Sequence, residues 1–186
     1  MHFSKLIGSF FFAVQLFSIH VASQSIETVE VDPNLYQGFW YQTYGDKFVT
    51  STFEKDAYCA TADYTILNDE TIGVFNWERI GSPTGEVQNI SGYAFITDQP
   101  GQLIVYFSQN VPAPYWIIKL GPVKDNQYQY SVVSDPNMLG LYVLARNVDE
   151  YYALYNDEVM EFLSANEFTK IYNSPVKIVH EGCSYT

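Results

Sequence analysis

Between Phe39 and Arg146 the chain repeats one unit, a short run of β-branched and aromatic residues followed by a cluster of turn formers. The runs predict strands near Phe39–Tyr44, Tyr58–Leu67, Thr71–Trp77, Ile90–Thr97, Leu103–Ser108, Tyr115–Leu120, Tyr128–Val133 and Leu141–Arg146. Asn68-Asp69-Glu70, Asp98-Gln99-Pro100-Gly101 and Gly121-Pro122 supply the turn chemistry between them. Eight antiparallel strands with no long helix between them suit an up-and-down β-barrel, whose closure removes exposed edges. A sandwich of two sheets is the structural alternative. After Arg146 the period changes. Asn156 is placed to cap one α-helix, Asp157 and Glu158 suit its first turn, and Val159, Phe162 and Leu163 share an apolar face. The tyrosines at 151, 152 and 155 leave an earlier start near Asp149 open, and Lys170–Tyr172 could add a ninth strand. The helix carries Asp157, Glu158 and Glu161 and almost no basic residue, so its apolar face reads as packed on the barrel rather than on a membrane.

Residues 1–23 read as a secretory signal peptide: Lys5, a mostly apolar core from Leu6 to Val21, then the small residues Val21-Ala22-Ser23. The apolar run is short for a membrane span, which needs about 20 residues. The mature chain, 24–186, then holds 8 Lys and Arg (9 less Lys5) against 21 Asp and Glu, a net charge of −13. That argues against nucleic acid and anionic membranes, both of which reward basic patches. One domain of this size buries a sizeable core, and nothing in the acidic surface calls for assembly, so a monomer is expected. Cys59 and Cys183, an even pair in a secreted chain, suggest a disulfide; two free thiols are the alternative. Asn89-Ile90-Ser91 is the one N-glycosylation sequon, making Asn89 a candidate acceptor.

Catalytic chemistry finds little to work with. Removing the signal takes His2 and His20 and leaves His180 alone, with no serine or cysteine partner evident and no zinc spacing. No glycine-rich phosphate loop or calcium loop is present, so neither a metal nor another cofactor is expected.

One pairing organises the chain. Gly38 turns the backbone into the first strand, and Trp40 closes one end of whatever the sheet encloses. Far downstream, Tyr142-Val143-Leu144-Ala145-Arg146 ends a strand on a guanidinium able to lie over that indole. Gly-x-Trp, then Ser134-Asp135-Pro136, then this strand resembles the lipocalin family, with local phrasing closest to the apolipoprotein D and bacterial lipocalin branch. The resemblance covers roughly residues 36–172 and favours the barrel over the sandwich. It also matches a Cys59–Cys183 bridge, since a tail cysteine in the family commonly pins back to the wall. One position departs: where the family carries Thr-Asp-Tyr before the seventh strand, this chain has Asn126-Gln127-Tyr128.

The resemblance implies a secreted carrier of a small hydrophobic molecule, whether lipid, retinoid, carotenoid, sterol or bilin. Strand parity from an inward Trp40 and Arg146 places Gln42, Tyr44, Tyr142 and Leu144 inside. The resemblance adds Ala60, Ala62, Tyr64, Val74 and Asn76, and the same pattern extends to Leu103, Val105, Phe107, Trp116, Ile118 and Tyr128. Of these, Gln42, Tyr44, Tyr64, Asn76, Val105, Phe107, Trp116, Ile118 and Tyr142 are the expected ligand contacts. Gly38, Trp40 and Arg146 are assigned to the structure of the closed end. Open-end connections are expected at Gly45–Ala57, Glu78–Asn89, Gln109–Ala113 and Ser134–Gly140. Phe48 and Phe53 in the first suit a lid, a transient contact with a lipid surface, or a staple to the barrel. A filled barrel acting through its loops on a protein partner, and a lipocalin-type isomerase, are the rival functions.

Overall fold

The computed structural model describes residues 26–107 and 111–185. The expected signal peptide, Ser108 and part of the Gln109–Ala113 connection lie outside them. The barrel strands are β1 (Gly38–Asp46), β2 (Ala57–Asn68), β3 (Thr71–Ile80), β4 (Glu86–Ile96), β5 (Gln102–Tyr106) and β6 (Pro112–Leu120). A two-stranded hairpin, β7 (Val123–Lys124) and β8 (Gln127–Tyr128), precedes β9 (Tyr130–Ser134) and β10 (Leu141–Ala145). The eight long strands pair in chain order, and β10 returns to β1 to close the barrel. Every one of these pairings is antiparallel. The seventh expected strand is thus two pieces, because Gln129 turns back and its amide donates to the Pro122 carbonyl.

Two bulges decide which residues face in. On β1, Gln42 opposes Leu144 and Tyr44 opposes Val143, so Thr43 is an extra residue and parity inverts beyond it. On β6 the ladder slips between Ile117 and Lys119. The β3–β4 ladder has no such slip and runs from Thr71 to Ile80. It therefore occupies most of the expected Glu78–Asn89 connection, leaving a short turn between Ile80 and Glu86.

Beyond β10 the chain forms α3 (Val148–Leu154) and α4 (Asn156–Ala165). Asn147, not Asn156, is the side-chain cap: its oxygen accepts from the Glu150 amide at 2.9 Å. Asn156 instead accepts from the Tyr44 hydroxyl at 2.9 Å. These helices cover one outer wall through a cluster that includes Tyr130, Val143, Tyr151, Val159, Leu163 and Phe168. The expected strand at Lys170–Tyr172 is a turn; the ninth strand is β11 (Pro175–Lys177), which adds to β1 through Gly45 and Val176. No helix among the described residues is long and apolar enough to cross a membrane.

The tail is fixed by the Cys59–Cys183 disulfide, whose Cα atoms are 5.8 Å apart. Cys59 has φ +60° and lies where β2 slips against β3, and its amide donates to Val179. The bulge bends β2 toward the tail it must reach.

Candidate functional site

At the closed end, Trp40 is fully buried and the Arg146 guanidinium stands 3.6 Å from the centre of its indole. The same group donates to the carbonyls of Phe39 (2.7 Å), Gln37 (2.8 Å), Tyr36 (2.9 Å), Leu35 and Tyr128 (both 3.3 Å). Three of these belong to the end of a one-turn helix, α1 (Pro33–Tyr36), and to Gln37 just beyond it, whose carbonyls lack helical partners. Gly38, at φ +94°, makes the turn into β1; a Cβ there would sit 3.4 Å from Gln127 Nε2 and 3.5 Å from Arg146 Nη1. Gln127, the departure from the family pattern, thus stands beside the turn. Burial holds the Arg146 guanidinium down to about 10, so it stays charged at neutral pH.

Above this floor the barrel encloses a cavity of about 70 Å³. Tyr64, Val74, Ala94, Val105 and Ile117 form its walls, and Tyr36 and Tyr115 add aromatic rings. Of the expected contacts, Tyr64 and Val105 line it. Phe107 and Tyr142 pack on the same interior cluster. Gln42 and Asn76 face inward by the parity of Trp40 and Val74.

Tyr44, Trp116 and Ile118 are corrections. The Thr43 bulge turns Tyr44 outward, onto Tyr151 and Tyr152 of α3 at 6.4 and 5.9 Å between ring centroids. On β6 the inward residues are Tyr115 and Ile117, while Trp116 and Ile118 belong to the outer cluster under the helices. Both faces of β6 are apolar, so strand pattern alone cannot choose between them.

Four polar groups were missed. Tyr36, at the end of α1, sends its hydroxyl up to Tyr115 (2.7 Å) and to Ser131 of β9 (3.0 Å). Tyr115 in turn meets the Tyr64 hydroxyl at 3.0 Å. Burial lifts the Tyr36 phenol to about 12 and raises Tyr64 and Tyr115 as well, so all three remain protonated at neutral pH. The fourth is Glu54, whose Oε2 accepts from Gln42 Nε2 at 2.6 Å. Burial raises Glu54 to about 8, and the negative charges of Glu78 and Asp46 add to the shift. The signal for Tyr36 was its position one turn before Trp40; nothing in the sequence marked Glu54.

The connection carrying Glu54 begins with α2 (Lys47–Ser51), capped by Asp46, whose Oδ1 accepts from the Val49 amide at 2.7 Å. Val49 is fully buried; Phe48 is 37% exposed, Phe53 is 72% exposed, and their rings touch at 5.7 Å. Asn89 is exposed on β4, opposite Trp77. His180 donates from Nε2 to the Gln42 carbonyl at 2.8 Å and so accepts from the Tyr185 hydroxyl at Nδ1 (2.6 Å) when neutral. Among the described residues no group of His, Cys, Asp and Glu side chains is arranged to hold a metal ion.

The chain is similar in fold to solved structures of low sequence identity. The cockroach allergen Per a 4 superposes with a TM-score of 0.57 at 17% identity, over 84% of this chain and 94% of that one. Japanin from Rhipicephalus appendiculatus, bound to cholesterol, gives 0.53 at 15% identity, over 82% and 99%. The amine-binding protein of Rhodnius prolixus, in its tryptamine complex, gives 0.55 at 16% identity, over 88% and 90%. No curated protein sequence matches the chain. The family model of the lipocalin-like domain matches residues 31–164, across the barrel and into α4. The chain is a member of the lipocalin family.

Proposed function

We propose that this lipocalin is a secreted carrier of a small hydrophobic molecule held in the barrel. The observation that carries the reading is the closed-end cavity, set between the barrel strands and the α1 segment and lined mainly by apolar and aromatic side chains, the usual makeup of a small-molecule pocket. Relatives of the same fold hold cholesterol in one case and tryptamine in another. The cavity is small, which favours a compact or slender ligand over a bulky bilin. Binding, rather than turnover, suits an interior whose tyrosine hydroxyls stay protonated and, among the described residues, pair with one another rather than with a base.

The signal-like residues 1–23, the disulfide and the exposed sequon at Asn89 together support secretion and a glycoprotein. The motif phrasing supports placing the chain near the apolipoprotein D and bacterial branch. Phe48 and Phe53 together form an exposed apolar knob beside the segment that carries Glu54 into the mouth, which supports a lid or a lipid-facing contact. The protein purified natively from its source, extracted with organic solvent and analysed by mass spectrometry, should yield one apolar compound at about one per chain. An empty extract, with no lipid altering tryptophan fluorescence, would remove the carrier reading and leave a loop-mediated protein partner.

A further inference from the structure

The hydroxyls of Tyr64, Tyr115, Tyr36 and Ser131 form an unbranched chain of three hydrogen bonds. Four hydroxyls carry four protons, and three bonds use three of them. One proton is therefore left over wherever the donors point, and it can reside on any one of the four. Three of those four are tyrosines that line the cavity. The chain thus offers the cavity a hydrogen bond that the protein itself leaves unmade, and each oxygen keeps lone pairs with which to accept. An interior donor without a partner is unfavourable, so a ligand atom that takes the proton gains more than a solvent-exposed contact would.

The electrostatics narrow the class of that atom. No Lys, Arg or His lines the cavity among the described residues. Arg146 is committed to five backbone carbonyls and the Trp40 face. Toward the mouth Glu54, largely neutral at pH 7 because burial raises it to about 8, stands near Glu78 and Asp46. An entering carboxylate would lose its hydration and find no counter-charge among the residues that line the cavity. The raised phenols point the same way, because this environment disfavours negative charge.

We propose that the barrel selects an apolar molecule ending in a neutral oxygen, an alcohol or a ketone, anchored deep in the cavity by the tyrosine–serine hydroxyl chain, and discriminates against carboxylates. The assignment rests on the carrier reading and sharpens it by naming the head group and its depth.

The test is a calorimetric titration of the full mature chain with one ten-carbon series: decane, decanol, decanone, decanoate and decylamine. Decanol and decanone should bind about tenfold more tightly than decane, the worth of one neutral hydrogen bond in a sheltered site, and decanoate more weakly than decane. In the triple variant Tyr36→Phe/Tyr64→Phe/Tyr115→Phe, which removes every hydroxyl of the chain that lines the cavity, the alcohol should lose most of its advantage over decane, with a cooperative thermal melt to show that the variant is folded. Decanoate binding as tightly as decanol overturns the proposal, as does an advantage unchanged in the triple variant. Decylamine binding tightest would overturn it too, moving the head group to Glu54 and the mouth. Decane binding with no gain for decanol defeats this proposal alone; no member binding wild type at all defeats the carrier reading with it.

Discussion

Arg146 shows how much one planar cation can hold. It stacks on Trp40 and gathers carbonyls from the end of α1, the start of β1 and Tyr128, so it ties the N-terminal segment to the last strands. Arg146→Ala removes a sheltered cation–π contact and several charge-assisted hydrogen bonds, and should cost about 2–4 kcal/mol of stability. Ligand affinity should stay within about twofold, because the side chain does not line the cavity. Thermal melting beside a ligand titration checks both halves; a loss of affinity with an unchanged melting temperature would reverse the assignment. Arg146→Lys keeps the charge but not the fork, and should recover little.

Glu54 invites a pH test at the same scale. Its carboxyl is raised to about 8 in the fold, against about 4.3 unfolded. The folded state therefore binds the extra proton between those values, and this group's contribution to stability is present at low pH and lost as pH rises through 8. Asp46, raised to about 6 chiefly by burial, and Glu78, raised by burial, act with the same sign. His180 opposes them: burial lowers it, so it favours the folded state above the ordinary histidine range and loses that contribution as pH falls. The informative quantity is the difference between proteins. Glu54→Gln should flatten the fall in melting temperature between about pH 4.5 and 8, the interval between the unfolded and folded values, and an unchanged profile would show that Glu54 does not titrate there.

At the scale of elements, one inserted residue redirects a whole side of the molecule. The Thr43 bulge sends Tyr44 onto α3, while Gln42 just before it stays inside. Tyr44→Phe should therefore lower stability by about 1 kcal/mol through the lost bond to Asn156 and leave ligand binding alone; reduced affinity would show that Tyr44 reaches the interior. The disulfide acts at the same scale. The Cys59–Cys183 closure spans 124 residues, so Cys59→Ser/Cys183→Ser should cost about 4–5 kcal/mol in the chain-entropy view. Equal chemical denaturation of the two proteins would contradict that.

The strands, their order and the closed-end pairing were legible because they rest on local alternation and on two unusual residues, Trp40 and Arg146, at a long fixed distance. The inward residues of β10 followed from parity with Arg146, and those expected on β2 and β3 came from the resemblance. The faces of β1 beyond Thr43 and of β6 did not, since a bulge leaves no reliable mark in sequence and β6 is apolar on both sides, with Trp116 and Ile118 outside and Ile117 within. The hydroxyl chain was harder still. It joins an α1 residue to three different strands, and only the closed barrel brings Tyr36, Tyr64, Tyr115 and Ser131 together.

For the whole molecule, the acidic surface and the apolar interior have separate roles. The full chain carries a net charge of −12, which favours solubility, while the cavity is lined by apolar and aromatic side chains. The most direct test is binding of a neutral fluorescent apolar probe, N-phenyl-naphthylamine, to the wild-type protein and to Ala94→Phe, which fills the cavity from its β4 wall. Wild type should bind at a single saturable site, and the filled variant should lose at least about tenfold in affinity while still melting cooperatively. Equal binding by a folded Ala94→Phe protein would place the probe on the surface and contradict a carrier built around the barrel's interior.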